Sequence, residues 1–110
     1  MRTVQISEET FERLKEQLVG SKEICALDDM VNQCFFFRTV TFHLVGRVVR
    51  RVGQWIVLDS ASWVADSGRF MQAIKDGTLN EVEPVGRAYV NMESVTDFFP
   101  WAHALPEKQK

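Results

Sequence analysis

The feature that most restricts what this chain can fold into is a change in the spacing of its apolar residues at Arg38. Before it, Phe11, Leu14 and Leu18 recur three and four apart; after it, Val40, Phe42, Leu44, Gly46 and Val48 occupy every second position. Helical side chains share a face at the first spacing and strand side chains at the second. A chain that switches once between them reads as α+β, with N-terminal helices packed on a mainly antiparallel, partly rolled sheet that carries one short inserted helix.

Local signals fill in this outline. Residues 3–6 alternate like a short strand, and Ser7 followed by Glu8 and Glu9 caps a helix that closes near Gly20. A second helix starts at Asp28 with Met30, Val31, Cys34 and Phe35 as its apolar stripe, although Phe35, Phe36 and Phe37 in succession suit a strand as well. From Arg38 one long strand is expected, its second face formed by Thr39, Thr41, His43, Val45, Arg47 and Val49, with Gly46 marking a bend or bulge. Arg51 to Gln54 turn the chain, and Trp55 to Leu58 pair back as a hairpin.

Residues 60–65 are ambiguous. Asp66 or Ser67 then caps a short helix with Phe70, Met71 and Ile74 turned inward and Gly77 just past its end. Asn80 to Gly86 reads as a loop, Ala88, Val90 and Met92 as a strand, and Val95 to Phe99 as a last strand stopped by Pro100, with Glu107 to Lys110 as a frayed tail.

With 110 residues and a hydrophobic fraction of 45%, the chain has material for one core, so residues 1–110 are read as one domain. Residues 1–36 form its helical part, 37–102 its sheet and 103–110 its tail. No apolar run approaches the ~20 residues a membrane span requires, and no secretory h-region opens the chain. A cytoplasmic protein without membrane contact is expected, with Cys25 and Cys34 as reduced thiols in core or semi-buried positions.

Signatures of chemistry are missing from the sequence. There is no nucleophile elbow, no phosphate-cradling glycine loop and no Cys/His spacing of a metal site. Asp59, Asp66, Asp76 and Asp97 are scattered as turn and cap residues usually are. The reading is therefore of a protein that is not an enzyme, with no catalytic residue, metal or cofactor to assign. Three features remain for binding. Arg47, Arg50 and Arg51 could meet phosphates or an acidic partner at a hairpin; His43, Trp55 and Trp63 could line a pocket for a small molecule; and Phe98, Phe99, Trp101 and Leu105 either cover the sheet or form an interface.

Two resemblances accompany this reading. Thr3 to Lys15, followed by Leu27 to Val31, resembles the opening of ribbon-helix-helix DNA-binding proteins. That likeness implies a dimer whose paired strands read bases through Thr3 and Gln5, with the second helix near Asp28 approaching a phosphate. Residues 43–106 are similar in layout to small phage-encoded and mobile-element proteins. The residues that carry this likeness are Gly46 to Val49, Trp55 to Leu58, Ala61, Trp63, the helix from Phe70 to Gly77 and Val95 to Pro100. It implies a compact rolled sheet with no catalytic residues.

The expectation is a non-enzymatic accessory protein of phage or mobile-element type that acts by protein–protein contact, as a homodimer or with a protein partner. A dimeric DNA-binding regulator is the first alternative and a small-molecule-binding domain the second.

Overall fold

The computed structural model describes residues 23–110. The short strand at residues 3–6, the first helix, Thr3 and Gln5 lie outside the described residues. A 3-10 turn at Leu27–Met30 leads into five strands: β1 (Cys34–Thr39), β2 (His43–Val52), β3 (Trp55–Asp66), β4 (Glu81–Asn91) and β5 (Val95–Pro100). One helix, α1 (Phe70–Asp76), joins β3 to β4, and a second 3-10 turn, Met92–Ser94, joins β4 to β5. Every neighbouring pair is antiparallel, in the order β4-β3-β2-β1-β5.

The expected fold class needs correction. Among the described residues no N-terminal helix packs on the sheet: the second helix expected from Asp28 is the 3-10 turn followed by β1, so residues 23–36 hold no α-helix. Three consecutive buried phenylalanines decide the matter. Phe35 and Phe37 enter one apolar cluster with Met30, Leu44, Val48, Ile56 and Leu58, and Phe36 enters another with Val45, Val64, Ala73, Val82 and Trp101. Neighbours that bury in opposite directions require the two-residue period of a strand covered on both faces. The same replacement removes the second helix on which the ribbon-helix-helix likeness relied.

The single long strand expected from Arg38 is also two strands. Thr39 breaks it: its Oγ1 accepts from the backbone N–H groups of Thr41 (3.3 Å) and Phe42 (3.0 Å) and donates to the Phe42 carbonyl (2.7 Å). A Thr that satisfies a turn through its own hydroxyl competes with ladder pairing. Val40 is therefore an exposed turn residue and not part of the inward face.

Rolling of the sheet follows from its connections. In a flat sheet the outermost strands β4 and β5 would lie four spacings, or ~19 Å, apart. They are joined by three residues of 3-10 turn, which advance only ~2 Å each, so the two edges must converge at this end. Gly46 permits the curvature. A Cβ there would stand 3.1 Å from Ala61 Cα and 3.3 Å from Leu58 Cβ, and the register slips beside it between Val45 and Arg47.

Four smaller expectations change. Residues 60–65 continue β3 through a bulge at Ser60 (φ +50°). Of the loop expected at Asn80 to Gly86, all but Asn80 belongs to β4, where Pro84 is tolerated because β4 is an edge strand. Met71 is 72% exposed, and Ala73 is the buried residue of α1. The tail is not frayed: Lys110 and Val82 exchange two backbone hydrogen bonds of 3.0 Å. Among the described residues, no helix is long and apolar enough to cross a membrane.

Candidate interaction groove

Convergence of the two edges leaves a groove of about 640 Å³ at the mouth of the rolled sheet. The β1–β2 turn forms one wall with Val40 and Phe42, the end of β4 another with Tyr89 and Asn91, and the start of β5 a third, while Trp55 opens β3 beside them. Four of the protein's exposed large apolar side chains meet here: Val40 (91% exposed), Tyr89 (56%), Trp55 (46%) and Phe42 (39%). Glu93 is the one charged residue of the lining; Thr39, Thr41, Ser94 and Thr96 supply hydroxyls. Such a lining offers apolar area with scattered hydrogen-bonding groups, and neither a cation for phosphate nor a nucleophile–base pair.

A second cleft, about 490 Å³, lies between the sheet and the tail and includes Cys34, Arg47, Ser60 and His103. Cys34 and Arg47 are direct cross-strand partners, as are Arg47 and Asp59. Arg47 is held by Asp59 through bonds of 3.1 and 2.7 Å, and these bonds lower the Asp59 carboxyl below its ordinary range. Burial pushes the Cys34 thiol up despite the neighbouring guanidinium, which suppresses the thiolate a nucleophile needs. A ring nitrogen of His103, Nε2, sits 2.7 Å from the Ile74 carbonyl at the end of α1. Cation, acid and imidazole are thus engaged in holding the structure. Among the described residues, no three His, Cys, Asp or Glu side chains are placed to hold a metal ion.

The residues singled out from the sequence are dispersed. Arg47 and Arg50 share a face of β2 with Asp59 and Val57 as partners, whereas Arg51 lies opposite Ile56 and turns the other way. There Arg51 donates to the Gly53 carbonyl at 2.6 Å and stands 3.5 Å from Asp28. Arg50 alone of the three has no carboxylate partner among the described residues. The expected basic patch is therefore split and largely neutralised. Trp55 lines the groove, but His43 and Trp63 do not. His43 lies instead against Phe36 (5.6 Å between ring centres), with Nδ1 buried and without a hydrogen-bond partner among the described residues. Trp101 is buried and stacks on Phe36, so the C-terminal aromatic cluster covers the sheet.

Sequence reasoning missed Val40, Phe42 and Tyr89 as site residues. For Tyr89 a signal existed, since it alternates with Ala88 and Val90 and had to face outward. For Val40 and Phe42 the signal was the turn-forming Thr39, hidden within an unbroken alternation.

No protein-family model matches the chain, and no curated protein does. Among solved structures, the chain is similar to the Sm protein of Pyrococcus abyssi in complex with a uridine heptamer, at 15% identity over 66% of this chain and 87% of that one, with a TM-score of 0.45. A heptameric archaeal Sm protein matches at 18% identity over 66% and 90% of the two chains, TM-score 0.45. A chain of the NatC complex bound to CoA matches at 19% identity over 69% and 84%, TM-score 0.48. At these identities and overlaps none of the three carries an argument about function.

Proposed function

We propose that this protein is a non-enzymatic interaction module that acts by protein–protein contact through the groove at the mouth of its rolled sheet. The observation that carries this reading is the meeting of Val40, Phe42, Trp55 and Tyr89, all exposed, around one concavity with a single charge. Exposed apolar groups scattered singly need no explanation, but a cluster rimmed by polar groups marks a contact surface. Tyr and Trp are also the side chains that contribute most per residue at interfaces.

Panning a displayed random-peptide collection against the full chain tests the reading. Selected peptides are expected to be rich in apolar residues and to lose at least tenfold in affinity when Trp55 and Tyr89 are both replaced by Ser. Selected peptides that bind this double variant as well as the parent, or no selection above a scrambled control, would overturn it.

A further inference from the structure

We propose that the groove takes an acidic segment of a partner protein, with an apolar side chain in the groove and carboxylates over Arg50 and Arg87. This rests on the reading of the groove as a protein-contact site and adds the chemistry of what it accepts. Strand alternation supplies the placement. Ile56, Leu58 and Val90 belong to the inner apolar cluster and Ala88 packs against it, so Trp55, Val57, Arg87 and Tyr89 lie on the opposite face of the sheet. Val57 is the cross-strand partner of both Arg50 and Tyr89. A cation and an aromatic ring therefore flank a buried valine, two strand spacings or ~10 Å apart. Arg87 precedes Tyr89 by two residues on β4, ~7 Å along the same face. Tyr89, which lines the groove, thus has an arginine on two of its sides.

Both arginines are exposed, and neither has a salt bridge among the described residues. In the next row of this face the Asp59 carboxyl is lowered by hydrogen bonds from Arg47 first and, to a lesser degree, by the charge of Arg87. Three arginines share one carboxylate there, so the patch is positive although the chain as a whole carries −2. Exposed cations without an internal partner attract and orient an anionic one.

The charge distribution favours a polypeptide over a nucleic acid. Along β4 and the turn after it, Arg87 precedes Tyr89 and Glu93 follows it, and Glu93 is the one charge of the groove lining. A nucleic-acid strand carries a phosphate on every nucleotide and would bring some of them to Glu93. A peptide can confine its carboxylates to the arginine side and present an uncharged apolar residue to Phe42 and Trp55. Trp and Tyr beside Arg are also the side chains that dominate protein contacts.

Two displayed peptide collections test this against the full chain. Both hold apolar residues at their central positions; the flanking positions are drawn from Asp and Glu in one and from Lys and Arg in the other. Binders are expected from the acidic collection, with affinity falling as salt rises from about 50 to about 500 mM. Arg50→Glu combined with Arg87→Glu should weaken the selected acidic peptides at least about tenfold without lowering the melting temperature, because both side chains are exposed. The neutral pair Arg50→Gln and Arg87→Gln should weaken them in the same direction by less. Lys75→Glu combined with Lys108→Glu makes the same change of net charge on α1 and the tail and should leave the affinity unchanged. Acidic peptides indifferent to the arginine reversal, or equally good binders from the basic collection, would overturn the proposal. So would a short mixed-sequence single-stranded RNA or DNA that binds more tightly than the acidic peptides and displaces them. If basic peptides bind and are lost when Trp55 and Tyr89 are both replaced by Ser, the groove remains a protein-contact site and only the acidic partner is wrong.

Discussion

Arg38 on β1 grips Asp97 on β5 through two hydrogen bonds, Nε to Oδ1 at 2.7 Å and Nη2 to Oδ2 at 2.6 Å, while its guanidinium carbon lies 4.3 Å from the centre of the Phe70 ring. One side chain thus fastens the last strand to the first and clasps the start of α1 beneath them. Both partners are about a third exposed (35% each), so water screens the pair. A double-mutant cycle with Arg38→Met and Asp97→Asn should yield a coupling of about 0.5–1 kcal/mol. A coupling indistinguishable from zero would show that the two-pronged geometry does not persist in solution.

The same pair sets a pH dependence. Hydrogen bonds from Arg38 hold the Asp97 carboxyl below its ordinary range, and a carboxyl whose folded pKa is depressed stabilises the fold above its unfolded value of about 3.9. That stability is lost as pH falls through the folded pKa. Asp97→Asn should therefore flatten the acid limb of a stability-against-pH profile, with its largest deficit at neutral pH. A deficit as large at pH 2 as at pH 7 would assign the loss to packing instead.

Two glycines with positive φ should respond differently to alanine. At Gly77 (φ +78°) a Cβ would fall 2.7 Å from His103 Cγ, whereas at Gly53 (φ +61°) it would meet nothing within 4 Å. Gly53→Ala should cost only the left-handed backbone strain, about 1–2 kcal/mol. Gly77→Ala adds displacement of the imidazole and should cost distinctly more in urea unfolding. Equal losses would mean that the tail does not rest on the helix end.

Trp101 tests the tail more directly. It is buried, its backbone N–H donates to the Cys34 carbonyl at 2.9 Å, and its indole N–H donates to the Ala104 carbonyl at 3.3 Å. Trp101→Ala should destabilise by about 3–5 kcal/mol, a large part of a small domain's total. A loss below about 1 kcal/mol would contradict a packed tail.

Ser62 makes the opposite prediction. It is fully buried, and its hydroxyl has no hydrogen-bond partner among the described residues. Ser62→Ala removes a desolvated polar group and should be neutral or stabilising by up to about 1 kcal/mol. Clear destabilisation in thermal unfolding would reveal a partner such as a buried water.

How much of this was legible beforehand depended on how local each cause was. The β2–β3 hairpin was readable because Gly53 and the alternation on either side of it act within a few residues, and the end of α1 because Gly77 supplies the left-handed backbone that closes a helix. The stretch from Asn80 to Gly86 misled because Pro and Gly are turn residues in isolation, yet at the edge of a sheet no further strand needs the ladder bond that Pro84 cannot make. The groove was not legible, because Val40, Trp55 and Tyr89 are far apart in the chain and meet only where the rolled edges converge.

By itself, then, the sequence determined the alternation of β2 and the start of β3, the closure of their hairpin and of α1, and that the chain has apolar residues enough for a core. Those properties depend on backbone torsions and neighbouring side chains. Tertiary structure decided the rest. It made Phe35 to Phe37 a strand because apolar layers cover both faces of the sheet, it engaged Arg38, Arg47 and Arg51 with oxygen partners, and it left Val40 outside. Each of those outcomes depends on which distant residues arrive opposite, and that is set by sheet order and curvature, which local pattern does not encode.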